Sequence, residues 1–289
     1  MAPLAFNQIL ASKLYKFSAG PNKTEFTMHS ALVSAQSPAL DCLVNGDFKE
    51  ALESHTVLDH VDEETFTLFS QYAYTGNYNI LGGTRMQIHL LAQPPVGFQA
   101  PVGFQPPMSL TSSASSPSTA LDTLKPGTFS TAGEEIIMKR HTPETLWKEF
   151  NAAGLMPSGP PPSRPGVILR NGDNILICHA KVFVFADYFG IEALTALAFR
   201  KLKTELLFIS TGDNMQVQLA DNAAELIEFC FTELVPETLK NHVVLYAASK
   251  SADLWWKSEK FRDLVRNCHE FSAALIRVMI EGLQAQASA

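Results

Sequence analysis

The chain has 289 residues, enough for one large domain or two small ones, and 46% of them are hydrophobic, so a sizeable core can be buried. Its formal net charge is −7, and no window shows basic clustering, which argues against a nucleic-acid partner held by phosphate contacts. No stretch approaches the roughly 20 apolar residues of a membrane-spanning helix, so we expect no membrane partner either.

The cysteines favour a reducing compartment. All four lie far apart, without CxxC spacing, in apolar and helix-like contexts: Cys42, Cys178, Cys230 and Cys268. We therefore expect buried free thiols. The first residues lack the apolar run and cleavage site of a secretory signal. These features predict an intracellular protein, cytoplasmic or nuclear.

Residues 1–80 alternate short apolar runs with turn and capping signals. Residues 13–18 and 24–28 have the pattern of two short strands, and the Gly, Pro and Asn between them predict a hairpin. Ser37 followed by Pro38 is typical of a helix start. Val57 and Leu58 suggest a third strand, although two residues do not establish one alone.

The best-specified helix follows Asp62. This residue suits an N-cap, and Glu63 and Glu64 place negative charge in the first turn, where the helix dipole favours it. Phe66 and Phe69 begin a wide apolar face that continues to Tyr74. Gly76 then stands where a left-handed cap is usual.

The middle of the chain, residues 92–165, is rich in Pro, Gly, Ser and Thr. Such a segment cannot bury enough apolar surface to offset its ordering entropy, so we predict a disordered insertion. It contains a tandem repeat, PVGFQ at 95–99 and 101–105, whose phenylalanines leave a short docking motif as an alternative. Residues 144–150 could form a helical turn within it.

From residue 174 onward the pattern is strongly helical and predicts about five antiparallel helices. Gly190 should separate the first two of them. A third is expected to include Leu234, and one long final helix should run through Phe261, Cys268 and Met279. We interpret these apolar stripes, and the pair Trp255-Trp256, as core or helix-packing residues.

Several strings together resemble the BTB/POZ domain. They are FTMHSALVS at 26–34, close to the family's F-x-V-H-K-A-x-L, then Ser37-Pro38, Phe48-Lys49-Glu50, VLD at 57–59, VDEETF at 61–66 and YAYTG at 72–76. A further piece, AKVFVFADYFGI at 180–191, resembles the helix-turn-helix with an A-D-K-Y motif. The layout is similar to a fungal BTB group with a long insertion inside the core and a helical tail.

The resemblance implies an α+β, mainly α fold: a small three-stranded sheet with packed helices, plus a C-terminal helical extension. The expected segments are 12–80 for the first part of the BTB core, 92–165 for the insertion, 174–207 for the helices completing the core and 215–284 for the extension. The positions that match the family's structural motif are His29, Asp62, Tyr74, Thr75 and Gly76.

The implied function is a non-enzymatic protein-protein interaction module, an adaptor or scaffold. A narrower alternative is a substrate adaptor of a cullin-3 ubiquitin ligase, because the family's cullin contact uses a hydrophobic-x-Glu element at the place of Phe48, Lys49 and Glu50. An exposed Phe48 would anchor in a partner pocket and Glu50 would fix the register. The bland alternative is that Phe48 closes the local core.

Self-association, which the family also implies, is weakened by two departures. The first strand, at 13–18, lacks the family's Asp, and Ser30 occupies the usual basic position. The charged pair expected near a dimer pocket is therefore missing, although a homodimer stays among the expectations.

Catalytic, cofactor and metal sites are not expected. The chain has no GxSxG, phosphate-binding glycine loop or HExxH. Cys178-His179 and Cys268-His269 are adjacent pairs that would point about 100° apart on a helix and chelate poorly, and His29 fits a structural, hydrogen-bonded histidine. A ligand-binding or catalytic protein built on the helical tail remains the alternative from another class.

Overall fold

The computed structural model describes residues 5–80, 143–153, 174–210 and 217–287. All of them belong to one compact unit that comprises 1–83 and 141–289. The repeat at 95–105 and most of the predicted insertion lie outside the described residues.

The sheet has three strands in the order β2-β1-β3. They are β1 (Leu14–Ala19), β2 (Thr24–His29) and β3 (His55–Leu58). β1 pairs antiparallel with β2 and parallel with β3, so β1 is the central strand and β2 and β3 are the edge strands. The predicted hairpin and the tentative third strand are confirmed, and the predicted three-stranded, mainly helical fold is confirmed with them.

The helices of the described residues are α1 (Phe6–Ala11), α2 (Ser30–Ser34), α3 (Pro38–Asn45), α4 (Lys49–Glu53), α5 (Glu63–Thr75), α6 (Pro143–Ala152), α7 (Ile175–Tyr188), α8 (Glu192–Ser210), α9 (Val217–Thr232), α10 (Glu237–Ser249), α11 (Ser251–Lys257), α12 (Glu259–Asn267) and α13 (His269–Ala287). Three short ones, α1, α4 and α11, were not predicted from the sequence.

Local signals explain the boundaries of the early helices. Ser37 Oγ accepts a hydrogen bond from the Leu40 amide at 3.2 Å, which caps α3. At the end of α5, Gly76 takes the left-handed conformation with φ 74° and donates its amide to Tyr72 O at 2.7 Å. These predicted helix ends are therefore confirmed.

Helix α7 packs on α5, so residues before position 81 and residues after position 173 share one core. The Phe185 ring lies 4.9 Å from the Phe69 ring and 6.5 Å from the Phe66 ring. These three side chains are almost completely buried. An aromatic cluster of this kind stabilises a core through area burial and through ring geometry.

The helical turn expected at 144–150 is part of the ten-residue helix α6. Phe150 is fully buried, with its ring 4.6 Å from the His242 ring of α10. Lys203 of α8 donates to Asn151 O at 2.8 Å and to Ala153 O, so it satisfies carbonyls at the C-terminal end of α6. Helix α6 is thus anchored on the later helices.

The prediction of one long final helix is wrong. The chain breaks at Cys268, whose backbone is extended with φ −99° and ψ 93°, between α12 and α13. In a continuous helix, Phe261 and Phe271 would point about 80° apart. The break lets both side chains be buried, with their rings 5.9 Å apart.

Other expectations about buried residues also fail. Leu234 lies beyond the end of α9 and is 96% exposed, while Val235 takes the inner position before Pro236. Of the cysteines, all four are free, but Cys42 is exposed and Cys268 is half-buried. Trp256 and Met279, interpreted as packing residues, are 80% and 39% exposed.

Candidate protein-interaction surface

Helix α4 is one and a half turns long and lies between α3 and β3. Phe48 stands at its N-cap in an extended conformation, and its carbonyl accepts from Ala51 N and Leu52 N, each at 3.1 Å. Ser54, with φ 51°, ends the helix, and its carbonyl accepts from Lys16 N of β1 at 2.9 Å. The helix is therefore fixed to the sheet at its C-terminal end.

This helix presents apolar side chains to solvent. Phe48 is 61% exposed and Leu52 is 80% exposed, and their i,i+4 spacing places them on one face. The adjacent Lys49–Glu53 ion pair, at 3.6 Å, is also exposed. The alternative that Phe48 closes the local core is wrong, because a core residue would be buried and Phe48 is 61% exposed.

Glu50 lies on α4 close to a buried phenol of the sheet. Tyr15 is 1% exposed, and its hydroxyl is 2.7 Å from Thr56 Oγ1 and donates to Leu43 O at 3.3 Å. Burial raises the pKa of Tyr15, and the negative charge of Glu50 raises it further. The carboxylate of Glu50 itself is exposed and available to a partner.

The residues of the structural motif meet in two places. His29 Nδ1 is 2.9 Å from the Tyr74 hydroxyl, which links the end of β2 to the end of α5. Thr75 donates its hydroxyl to Gln71 O at 2.7 Å, just before the Gly76 cap. His29 is thus hydrogen-bonded to a side chain, in a position that suits a structural role.

Asp62 is the other member of the motif. Its carboxylate accepts from Thr65 N at 2.7 Å as the N-cap of α5, and its second oxygen accepts from Lys181 Nζ of α7 at 2.7 Å. Burial raises the pKa of Asp62, but the Lys181 and Thr65 hydrogen bonds outweigh that effect and hold the pKa below its usual range. Asp62 therefore caps one helix and ties it to another.

Comparison with known proteins adds the deciding observation: the family model of the BTB/POZ domain matches residues 17–94. The chain contains a BTB/POZ domain. No match was found among curated proteins or among solved structures. BTB/POZ domains are typically interaction modules rather than enzymes, so the chain carries a module for protein-protein interaction.

The sequence analysis missed a buried polar contact that joins the segment matching the BTB/POZ family to helix α7. The Tyr78 hydroxyl is 2.9 Å from His179 Nδ1, and Lys201 Nζ donates to Tyr78 O at 2.5 Å. Burial lowers the pKa of His179 to about 3, with the Lys201 charge as a second cause. Tyr78 and His179 are 101 positions apart, so no local pattern could have joined them.

The two cysteine-histidine pairs are not brought together as ligands. The Sγ of Cys178 is 3.6 Å from Glu64 Oε1, while the neighbouring His179 contacts Tyr78. Across the described ranges, no group of three His, Cys, Asp or Glu side chains could hold a metal ion. Among those same ranges, no helix has the length and apolar character needed to cross a membrane.

Proposed function

We propose that this chain is an adaptor that binds a partner protein through α4 of its BTB/POZ domain. The observation that carries the proposal is the exposure of Phe48 and Leu52 side by side, with the Glu50 carboxylate between them in sequence. Aromatic side chains are enriched at protein interfaces, where they fill pockets of the partner, and charged residues usually lie at the polar rim.

Cullin-3 is the partner that the resemblance names for this element. Phe48, Lys49 and Glu50 stand where the family's hydrophobic-x-Glu contact is expected, and all three are exposed. We propose that Phe48 enters a pocket of cullin-3 and that Glu50 sets the register through charge pairing. The chain would then act as a substrate adaptor of a ubiquitin ligase inside the cell.

We also propose a domain layout for the chain. Residues 12–80 and 174–207 would form the BTB core, 92–165 the insertion and 215–284 an extension that presents a second partner. The Phe185 cluster and the Asp62–Lys181 ion pair support the joining of the first two segments. The strand-swapped homodimer is disfavoured, since Ser30, in place of a basic residue, is 8% exposed and β1 contributes no Asp.

The test is calorimetric titration of the full chain with the N-terminal region of cullin-3. We expect Phe48→Ala combined with Glu50→Ala to weaken binding at least about 30-fold, because a hot-spot residue contributes about 2 kcal/mol or more. Phe208→Ala, which removes another exposed phenylalanine on α8, is the matched control and should bind like the wild type. Equal affinity for the double variant and the wild type would reject the assignment of α4.

A further inference from the structure

Helix α6 is held by the later helices in the way that a groove holds a short peptide. Leu146 and Phe150 are buried and Trp147 is half-buried, while the other side chains from Glu144 to Ala152 are exposed. A ten-residue helix is only marginally stable alone in water, so α6 depends on this contact for its helical conformation. Apolar anchors on one face of an otherwise exposed helix are typical of helix-in-groove recognition.

Each anchor has its own position on the later helices. The Phe150 ring lies 4.6 Å from the His242 ring and 5.4 Å from the Tyr246 ring. Lys250 Nζ lies 4.1 Å from the centre of the Trp147 ring, a cation–π contact. We call the surface that holds α6 the α6 groove, and its residues are Lys203, His242, Tyr246, Lys250 and Gly282.

Lys203 places a buried positive charge at the end of this groove. The residue is 2% exposed, and its Nζ donates to Asn151 O at 2.8 Å and to Ala153 O, where α6 ends. Burial lowers the pKa of Lys203, and no carboxylate of the described residues offsets that effect. A lysine is almost never fully buried without an anionic partner, so this charge is incompletely compensated.

Helix α6 therefore satisfies the groove only in part. The carbonyls at a helix C-terminus carry about half of a negative charge, whereas a carboxylate would supply a full charge in a charge-assisted hydrogen bond. His242 is 6% exposed, and its Nε2 has no hydrogen-bond partner among the described residues. The groove is thus better matched to a helix that ends in a carboxylate than to α6 itself.

We propose that the α6 groove is a docking site for a partner protein, whose amphipathic helix displaces α6. The partner helix would carry apolar side chains at the spacing of Leu146, Trp147 and Phe150, and a carboxylate at the position of Ala153 to pair with Lys203. Helix α6 then acts as an internal competitor for the groove. The proposal goes beyond the adaptor function, and it uses no residue of α4, so either proposal can fail alone.

The test uses a synthetic peptide with the sequence of residues 143–153. Its free C-terminal carboxylate stands where the partner's carboxylate is expected, and the same peptide with a C-terminal amide is the matched control. Calorimetric titration of the full chain carrying Phe150→Ala, which weakens the docking of α6, should show the free-acid peptide binding at least about 10-fold more tightly than the amide. Equal affinities would overturn the proposal, as would no binding at about 1 mM.

A second substitution shows whether Lys203 causes this preference. Lys203→Met in the same chain keeps the apolar stem but removes the charge, so the two peptides should then bind equally. Arg200→Met removes an exposed charge of the same helix and should leave the preference for the free acid unchanged. A preference that survives Lys203→Met would overturn the role of this charge.

The wild type provides a test that does not depend on a destabilised chain. We expect an excess of unlabelled free-acid peptide to speed hydrogen exchange at the α6 amides of the isotope-labelled full chain, measured by NMR, because a displaced short helix does not persist. The α5 amides should keep their exchange rates. Slow exchange of α6 at saturating peptide would show that the helix is not displaced and would overturn the proposal.

Discussion

Two surfaces of the molecule expose large apolar side chains but are built differently: the α4 surface (Phe48 and Leu52) and the α13 surface (Ile276, Met279, Ile280 and Leu283). At α4, one apolar residue is the N-cap and the other lies within a five-residue helix, close to the charges of Lys49 and Glu53. On α13, four apolar residues follow a nineteen-residue helix and join a groove with two indoles. The first geometry suits an anchor that enters a partner's pocket, and the second suits a long helix of similar character.

The two surfaces also differ in what supports them. The α4 surface lies in the segment that matches the BTB/POZ family, whereas the α13 surface lies far outside it. We therefore expect one cooperative core to carry both surfaces, and we expect α4 to bind its partner without help from α13.

The largest expected effect tests the shared core. Phe185→Ala removes the ring that joins α7 to Phe66 and Phe69, so we expect the free energy of unfolding to fall by about 3–5 kcal/mol. Urea unfolding followed by circular dichroism and tryptophan fluorescence should still show one transition. Tyr188→Ala, at an 80% exposed site on the same helix, should change stability by less than about 0.5 kcal/mol. Two separate transitions in the wild type would break the claim of one core.

A smaller expected effect is a loss of stability at low pH, caused by two buried histidines, His179 of α7 and His242 of α10. Burial lowers the pKa of His179 to about 3 and that of His242 to about 4. An unfolded histidine protonates near pH 6.5, so below that pH the unfolded chain binds more protons and the folded state loses stability. Between pH 6.5 and 5 each histidine should lower the free energy of unfolding by about 1.5 kcal/mol.

The variant that isolates one titration is His242→Phe. His242 lies between Phe150 and Phe199, and its Nε2 has no hydrogen-bond partner among the described residues, so an aromatic ring should be accepted there. Urea unfolding at a series of pH values should show about half of the histidine-dependent loss removed. An unchanged pH slope would contradict the burial of a neutral imidazole.

The smallest effect concerns the end of the family motif. Gly76 has φ 74° with open space around its Cα, so Gly76→Ala should cost about 1 kcal/mol through backbone strain alone. Gly76→Asn should cost less, because asparagine tolerates this conformation better. Thermal unfolding measures these differences. If Gly76→Ala unfolded at the same temperature as the wild type, the left-handed conformation of Gly76 would be contradicted.

The helix ends in the segment that matches the BTB/POZ family were predicted well from the sequence, because local chemistry marks them. The capping hydrogen bonds of Ser37, Asp62 and Gly76 each join residues no more than four positions apart, so these caps can be recognised without the fold. Helix α4 escaped prediction because it is short and its apolar residues face solvent. The Phe48 element was placed by resemblance, and its partner remains a prediction.

The later helices were less predictable because packing decides their details. The break at Cys268 allows both Phe261 and Phe271 to be buried, and no local sequence pattern at this position predicts it. Apolar spacing alone also cannot distinguish a residue that faces the core from one that faces another molecule. Met279 and Trp256 fit a packing pattern in sequence, yet the structure leaves both partly or largely exposed.

The most direct test of the central claim is one sedimentation experiment with labelled N-terminal cullin-3 and three forms of the full chain. We expect the wild type to sediment together with cullin-3. The Phe48→Ala, Glu50→Ala form should sediment without cullin-3, whereas Ile280→Glu, at an exposed site on α13, should bind cullin-3 like the wild type. Equal binding of cullin-3 by the folded double variant and the wild type would contradict the assignment of α4.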